Sequence, residues 1–213
     1  MSELTPAISK NSIILALFAI ACTAAVGLVH LMTKERIEIQ TQQQLIKQLN
    51  EIIPTNSHDN EMFRDCIAAP TDDNSDLIID VIYRARLNNA PTAAAIKTVA
   101  PDGYNGNIEL LIAINTDGSV SGVRTLLHKE TPGLGDKIEL RKSNWIESFT
   151  AKKVLDSNDS RWAVVKDGGM FDQFTGATIT PRAVVKTVRK TIDYFQANQD
   201  NIFALASNCG AKS

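Results

Sequence analysis

The hydrophobic pattern begins with an unbroken apolar run: residues 12–32 read SIILALFAIACTAAVGLVHLM, with no Asp, Glu, Lys or Arg. About 20 helical residues cross the hydrocarbon core of a bilayer, so the run predicts a transmembrane anchor over residues 12–33. Lys10 on one side and Lys34 with Arg36 on the other fall at headgroup depth, and His30 lies near the end, where a polar tip reaches the interface. The alternatives are a buried helix of a soluble core and a cleaved leader, since Ala19-Ile20-Ala21 has the small residues of a processing site and, with Cys22, resembles a lipoprotein signal. A cleavable run would end at the cut, whereas this one continues through Ala24, Val26, Leu28 and Leu31, which favours a retained anchor. Basic residues on the two flanks nearly balance and give no orientation.

Beyond the anchor the period stays helical. Ile37, Leu45, Leu49, Ile52 and Ile53 predict a polar stalk helix ending before Pro54, and the turn formers of PTNSHDNE predict a linker. From Leu77 the pattern turns to short β-branched runs. LIIDVIYRAR and AAAIKTVA predict strands, and NIELLIAIN and VSGVRTLLH predict a hairpin around Asp117-Gly118. HKETPGLGDKIEL predicts a loop, SNWIESF a short helix capped by Ser143 with Trp145, Ile146 and Phe149 as its apolar face, RWAVV another strand, and KDGG a turn. The last helix is predicted to start at Thr180 as cap with Pro181 as its first residue. Its apolar stripe is Val184, Val185, Val188, Ile192 and Phe195, with Arg182, Lys186, Arg189 and Lys190 on a solvated face. The chain thus divides into an N-terminal segment 1–11, an anchor 12–33, a stalk helix and linker 34–75, and an α+β domain with an antiparallel sheet at 76–213.

Composition narrows the function. A net charge of −2 offers no basic face for phosphates, so nucleic acid is not an expected partner. Three cysteines are too few for a disulfide scaffold and have no zinc spacing; Cys66 and Cys209 can pair if the domain faces an oxidising compartment. GxSxG, HExxH and a phosphate loop ending in Gly-Lys-Ser/Thr are all missing, so no catalytic residue or metal ligand is nominated. His128 has the alternatives of reaching into the HKETPGLG loop and, the favoured one, of a surface histidine at a strand end. The informative stretch is DGGMFDQFTGATITP, residues 167–181. There Thr175-Gly176-Ala177-Thr178 leads through small residues into a helix start, whose free amides suit a phosphate. On physical grounds alone it also reads as a plain helix-capping loop.

Asp172-Gln173-Phe174-Thr175-Gly176-Ala177-Thr178 resembles the pattern Asp-x-x-Ser/Thr-Gly-Ala-Thr/Ser, at which a flavin transferase attaches FMN in the FMN-binding domain family. APDGYNGNIELLIAINTDGSVSGV followed by HKETPGLGDKI resembles that family's other recurrent segment, in the same order. With one N-terminal span and this length, the whole chain resembles the G subunits of Rnf-type electron transport complexes. The resemblance implies FMN joined by a phosphoester to Thr178, with Asp172, Gly176 and Ala177 in the transferase pattern beside Thr175. It also implies a flavin-facing loop of Glu130, Thr131, Pro132, Gly133, Leu134 and Gly135. Within that loop Gly133 and Gly135 have the alternative of shaping a turn, and Glu130 and Asp136 that of being solvated. Tyr104 has the alternatives of a plain turn, which PDGYNG favours, and of stacking on the isoalloxazine; Trp145 reads as core.

Further expectations follow from the resemblance: other subunits of a membrane redox complex as partners, a flavin transferase for maturation, and lipid around residues 12–33. It places the chain in the cell inner membrane as a single-pass protein, with residues 1–11 cytoplasmic and 76–213 periplasmic. Its task would be to pass electrons, between ferredoxin and NAD, within a complex that moves ions. The rival readings are the C subunits of sodium-translocating NADH:quinone reductases, which usually run longer, and an anchored binding or scaffold protein without a cofactor.

Overall fold

The computed structural model describes residues 4–68 and 77–209, with side chains from residue 9. The last part of the expected linker, 69–75, lies outside the described residues. The chain divides into two compact units between Lys47 and Gln48.

The first unit is helix. α1 spans Leu4–Ile52 and is long and apolar enough to cross a membrane. Its apolar run is exposed, Leu15, Phe18, Ile20, Val26 and Leu31 among it. The hydroxyls within and just after it turn back on their own helix, Thr23 Oγ1 donating to Ala19 O and Thr33 Oγ1 to Val29 O, both at 2.8 Å. Such bonding leaves little polar surface towards a lipid environment.

The second unit begins inside the stretch read as stalk and linker, because Leu49, Ile52, Ile53, Met62 and Ile67 are buried core residues. Its centre is an antiparallel meander in chain order: β1 (Cys66–Ala68), β2 (Ile78–Leu87), β3 (Ala90–Ala100), β4 (Ile108–Asn115) and β5 (Val120–Leu127). Asn88 and Asn89, both with positive φ (51° and 63°), make the two-residue turn between β2 and β3. At the β4–β5 hairpin Gly118 takes φ +81°, and Asp117 Oδ1 accepts from Ser119 N (2.9 Å) and Ser119 Oγ (2.5 Å).

The second helix, α2 (Ile179–Ala204), packs on β3 and β4. Its stripe of Val184, Val185, Val188, Ile192 and Phe195 is buried in the main core with Ile96, Leu110 and Ile112 of the sheet. At the β5 edge, Ile52 at the end of α1 meets Gly122, where an added Cβ would lie 2.9 Å from Ile52 Cβ. A 3-10 helix, Asn144–Phe149, has Ser143 as its cap and buries Trp145, Ile146 and Phe149. The end of α2 and the tail after it are stapled back. Cys66 and Cys209 form a disulfide with Cα atoms 5.6 Å apart, and Arg84 and Arg86, both paired with Asp65, donate to the carbonyls of Ile202 and Phe203 in the last turn of α2.

RWAVV is not a strand. Val164 makes a single bridge to Phe171, and Val165–Asp167 coil into a 3-10 turn. Gly168 (φ +86°) and Gly169 cause this by doubling the chain back so closely that a Cβ at Gly169 would sit 1.9 Å from Ala163 O. Trp162 and Val164 of the segment, with Phe171 from the returning chain, are buried in the fold-back instead of along a sheet, and Val165 is exposed.

Candidate functional site

Three segments meet beside the start of α2. The first leaves β3 as the turn Pro101–Gly106. It is tied to the second segment by Asn105, whose N–H donates to Glu130 Oε1 (3.1 Å) and whose Nδ2–H donates to Lys129 O (2.6 Å).

The second segment leaves β5 at Leu127. His128 is not a surface residue; its ring is largely covered, taking the Glu130 N–H at Nδ1 (3.0 Å) and lying 2.7 Å from Glu139 Oε1 through Nε2. Because a backbone N–H can only donate, Nδ1 is the acceptor and Nε2 donates to Glu139. Glu139 is also held by Arg141, whose guanidinium, ahead of the His128 contact, keeps its carboxyl below the usual carboxylate range. Next, Thr131-Pro132-Gly133-Leu134 closes as a β-turn: Leu134 N donates to Thr131 O (3.1 Å), Pro132 pre-sets the first corner and Gly133 takes φ +78° at the second. The two glycines therefore separate in role. Gly133 is exposed and shapes the turn, whereas Gly135 is buried, and a Cβ there would lie 2.7 Å from Glu130 Oε2 and 3.0 Å from Thr180 Oγ1. Glu130 and Asp136 are not solvated, being only 5% and 6% exposed.

The third segment is the Thr-Gly-Ala-Thr stretch. Ala177 N donates to Phe174 O (3.1 Å), and Gly176 takes φ +82°, so residues 174–177 form a tight turn. Trp145 anchors it, its Nε1–H donating to Asp172 O (2.7 Å) and its ring packing edge-on to Phe174 with centroids 5.1 Å apart. Helix α2 starts earlier than expected. Thr178 occupies the cap position without a capping side-chain bond, the first helical bond runs from Arg182 N to Thr178 O, and Pro181 is the third helical residue. Proline costs nothing there either, since the first-turn amides have no partner within the helix. Thr180 is not the cap because its hydroxyl is committed elsewhere, donating to Glu130 Oε2 at 2.5 Å.

Together the segments line a cleft of about 320 Å³. Glu130, Thr131, Leu134 and Gly135 line it from the loop; Gly176, Ala177 and Thr178, with Ile179 and Thr180, line it from the helix start; Tyr104 lines it from the turn. Pro132, Gly133, Asp172 and Thr175 do not. Ile179 and Thr180 escaped the sequence reading as site residues, and Tyr104, for which the sequence favours a plain turn over a flavin contact, lines the cleft. The three threonines of Thr-Gly-Ala-Thr-Ile-Thr now differ. Thr175 is exposed outside the cleft and Thr180 is buried on Glu130, while Thr178 is half-buried in the cleft with a hydroxyl that bonds no described residue. No Lys or Arg lines the cleft; its positive end is the helix N-terminus.

These features fit a flat apolar group ending in a phosphate: exposed Leu134 and Ile179, glycine backbone open to close approach, and free amides beside a free hydroxyl. At about 320 Å³ the cleft is near the low end of the range of about 300–1,000 Å³ for ligand pockets, so part of a flavin nucleotide would reach its rim. The class this defines is a flavin-binding domain carried behind a membrane-type helix, and the comparisons agree. Residues 103–193, which include the whole lining, match the family model of the FMN-binding domain, and residues 1–52 match that of the RnfG N-terminal region. Proteins named as the G subunits of ion-translocating oxidoreductase complexes resemble the chain over nearly its full length. That of Vibrio atlanticus is 49% identical over 97% of this chain and 99% of its own, and that of Shewanella loihica is 51% identical over 95% and 96%. The chain belongs to the family of ion-translocating oxidoreductase complex G subunits.

Proposed function

We propose that the chain is the electron-carrying member of a membrane-bound, ion-translocating oxidoreductase complex, with FMN held as a phosphoester on Thr178. One observation carries the attachment site: of the three neighbouring threonine hydroxyls, Thr178 alone lies in the cleft uncommitted, beside the amides of a helix start. In maturation a flavin transferase would use FAD and Mg²⁺. The Thr178 Oγ–phosphorus bond forms as the pyrophosphate bond breaks, the hydroxyl proton is lost, and AMP leaves. The chain is the substrate of that step and not its catalyst. Once bound, FMN supplies reversible uptake and release of electrons. The chain's own residues would hold and surround it: the first-turn amides of α2 would face the phosphate, the open backbone at Gly176 would let the group approach, and Gly135 makes room for Glu130, which locks Asn105 to Thr180 across the floor.

Residues 12–33 sit in lipid as a single inner-membrane span, with 1–11 cytoplasmic and the flavin domain periplasmic. The Cys66–Cys209 disulfide supports that side, since such bonds persist in oxidising compartments. The other subunits of the complex are its partners. Identity near one half to G subunits over almost the entire chain leaves the quinone-reductase rival unfavoured.

Production of the full chain with and without a flavin transferase tests the reading. After denaturing electrophoresis, the band from the co-producing cells should fluoresce under ultraviolet light. Thr178→Val should abolish that signal and Thr175→Val should retain at least part of it. A dark wild-type band in the presence of transferase sinks the proposal; a bright Thr178→Val band moves the ester to another hydroxyl.

A further inference from the structure

We infer that Tyr104 is a cofactor-contacting residue: its ring forms part of the wall against which the isoalloxazine of the Thr178-bound flavin lies. This rests on the attachment proposed above and goes beyond it, because Tyr104 lies outside both the attachment motif and the Glu130–Gly135 loop.

The first ground is exposure. Among the described residues from Gln48 onward Tyr104 is the only exposed aromatic, at 68%, while the two tryptophans and most phenylalanines are buried. Its ring is not on a loose excursion. Asn105 next to it is tied through both its N–H and its side chain, to Glu130 Oε1 and Lys129 O. On the other side, a Cβ at Gly103 would lie 2.2 Å from Gly106 O and 2.9 Å from Glu130 Oε1, so the turn admits little else. The fold thus holds fixed backbone that presents a largely uncovered aromatic ring.

Position is the second ground. Tyr104 lines the same cleft as Thr178, and the other exposed apolar side chains of that cleft, Leu134 (41%) and Ile179 (47%), come from the two remaining segments. Each wall contributes apolar surface to one volume, which is the arrangement that binds a flat apolar body. The tethered ring system is the occupant because its anchor hydroxyl lines that same volume. The phenol stays near solvent, so contact is expected with an edge or face of the ring at the mouth, not deep in the floor where Glu130 sits.

Flavin emission tests this, because a phenol or indole ring in contact quenches it and an aliphatic side chain does not. The full chain is co-produced with a flavin transferase and purified in detergent. Intact mass establishes one FMN per chain for wild type, Tyr104→Leu and Tyr104→Trp, and emission per flavin is read before and after denaturation. Wild type should brighten several-fold on unfolding. Tyr104→Leu should already be bright when folded, with most of that increase gone, and Tyr104→Trp should restore the quenched state. Equal folded-to-unfolded ratios in wild type and Tyr104→Leu, with FMN present by mass, overturn the contact while leaving the Thr178 attachment standing. Wild-type chain without FMN by mass overturns both.

Discussion

Glu130 is the keystone of the cleft floor, and its removal should be costly in a way that identifies its partner. Its side chain accepts from Asn105 N–H and from the Thr180 hydroxyl, and Thr180 is fully buried. In Glu130→Ala the Asn105 amide, at the surface, regains water, but the Thr180 hydroxyl does not. Stranding a buried polar group costs about 1–3 kcal/mol. Thr180→Val acts from the other side, depriving a nearly buried carboxylate of a charge-assisted bond at a similar cost of about 1.5–3 kcal/mol. The double variant leaves neither group stranded, so it should be less destabilised than the sum of the two by about 1–2 kcal/mol. Urea unfolding of flavin-free full chain in detergent, followed by Trp145 and Trp162 emission, measures all four corners of the cycle. Additivity within about 0.5 kcal/mol would show that the two side chains are energetically independent and refute the keystone assignment.

Other outcomes are equally definite. Replacing Cys66 and Cys209 by Ser opens a loop with a sequence separation of 143 and should cost about 2–5 kcal/mol, read as a lower denaturation midpoint that reductant no longer shifts. Gly169→Ala drives a Cβ into Ala163 O and should destabilise by at least about 1–3 kcal/mol in the same assay, far more than Gly133→Ala tolerates in packing terms, since nothing lies near that Cβ. In acid, Asp117 matters: hydrogen bonding to Lys153, then to Ser119, lowers its pKa from 3.8 to about 2. A depressed carboxyl stabilises the fold above its unfolded pKa and loses that contribution as pH falls through the folded value. Melting temperature should therefore decline between about pH 4 and pH 2, and Asp117→Asn should flatten part of that decline; an unchanged profile counts against the Lys153 contact.

Much of this architecture was legible because the signals were local. The anchor needed only length and the absence of charge, the hairpin at Asp117-Gly118 only its turn chemistry, and α2 only the three-four spacing of its valines. What escaped depended on distant partners. Thr180 has the composition of a helix cap, and only the arrival of Glu130, fifty positions away, takes its hydroxyl for another purpose. RWAVV has strand composition, but Gly169 against Ala163 decides its path. Asn88-Asn89 was a readable two-residue turn that the strand pattern overshadowed. In the site, the motif pointed to Thr178, yet no linear feature showed that Pro132 and Gly133 would face away while Leu134 and Gly135 face in.

The meander has a temporal corollary. Every sheet pairing joins segments next to each other in the chain, so the hairpins can close in the order in which they are made, with little loop entropy to overcome. The cleft obeys the opposite rule: its walls come from residues 104, 130, 131, 134, 135 and 176–180, and it exists only once the start of α2 has arrived. The topology thus lets the sheet form early, while the cleft is complete only when the last helix has docked.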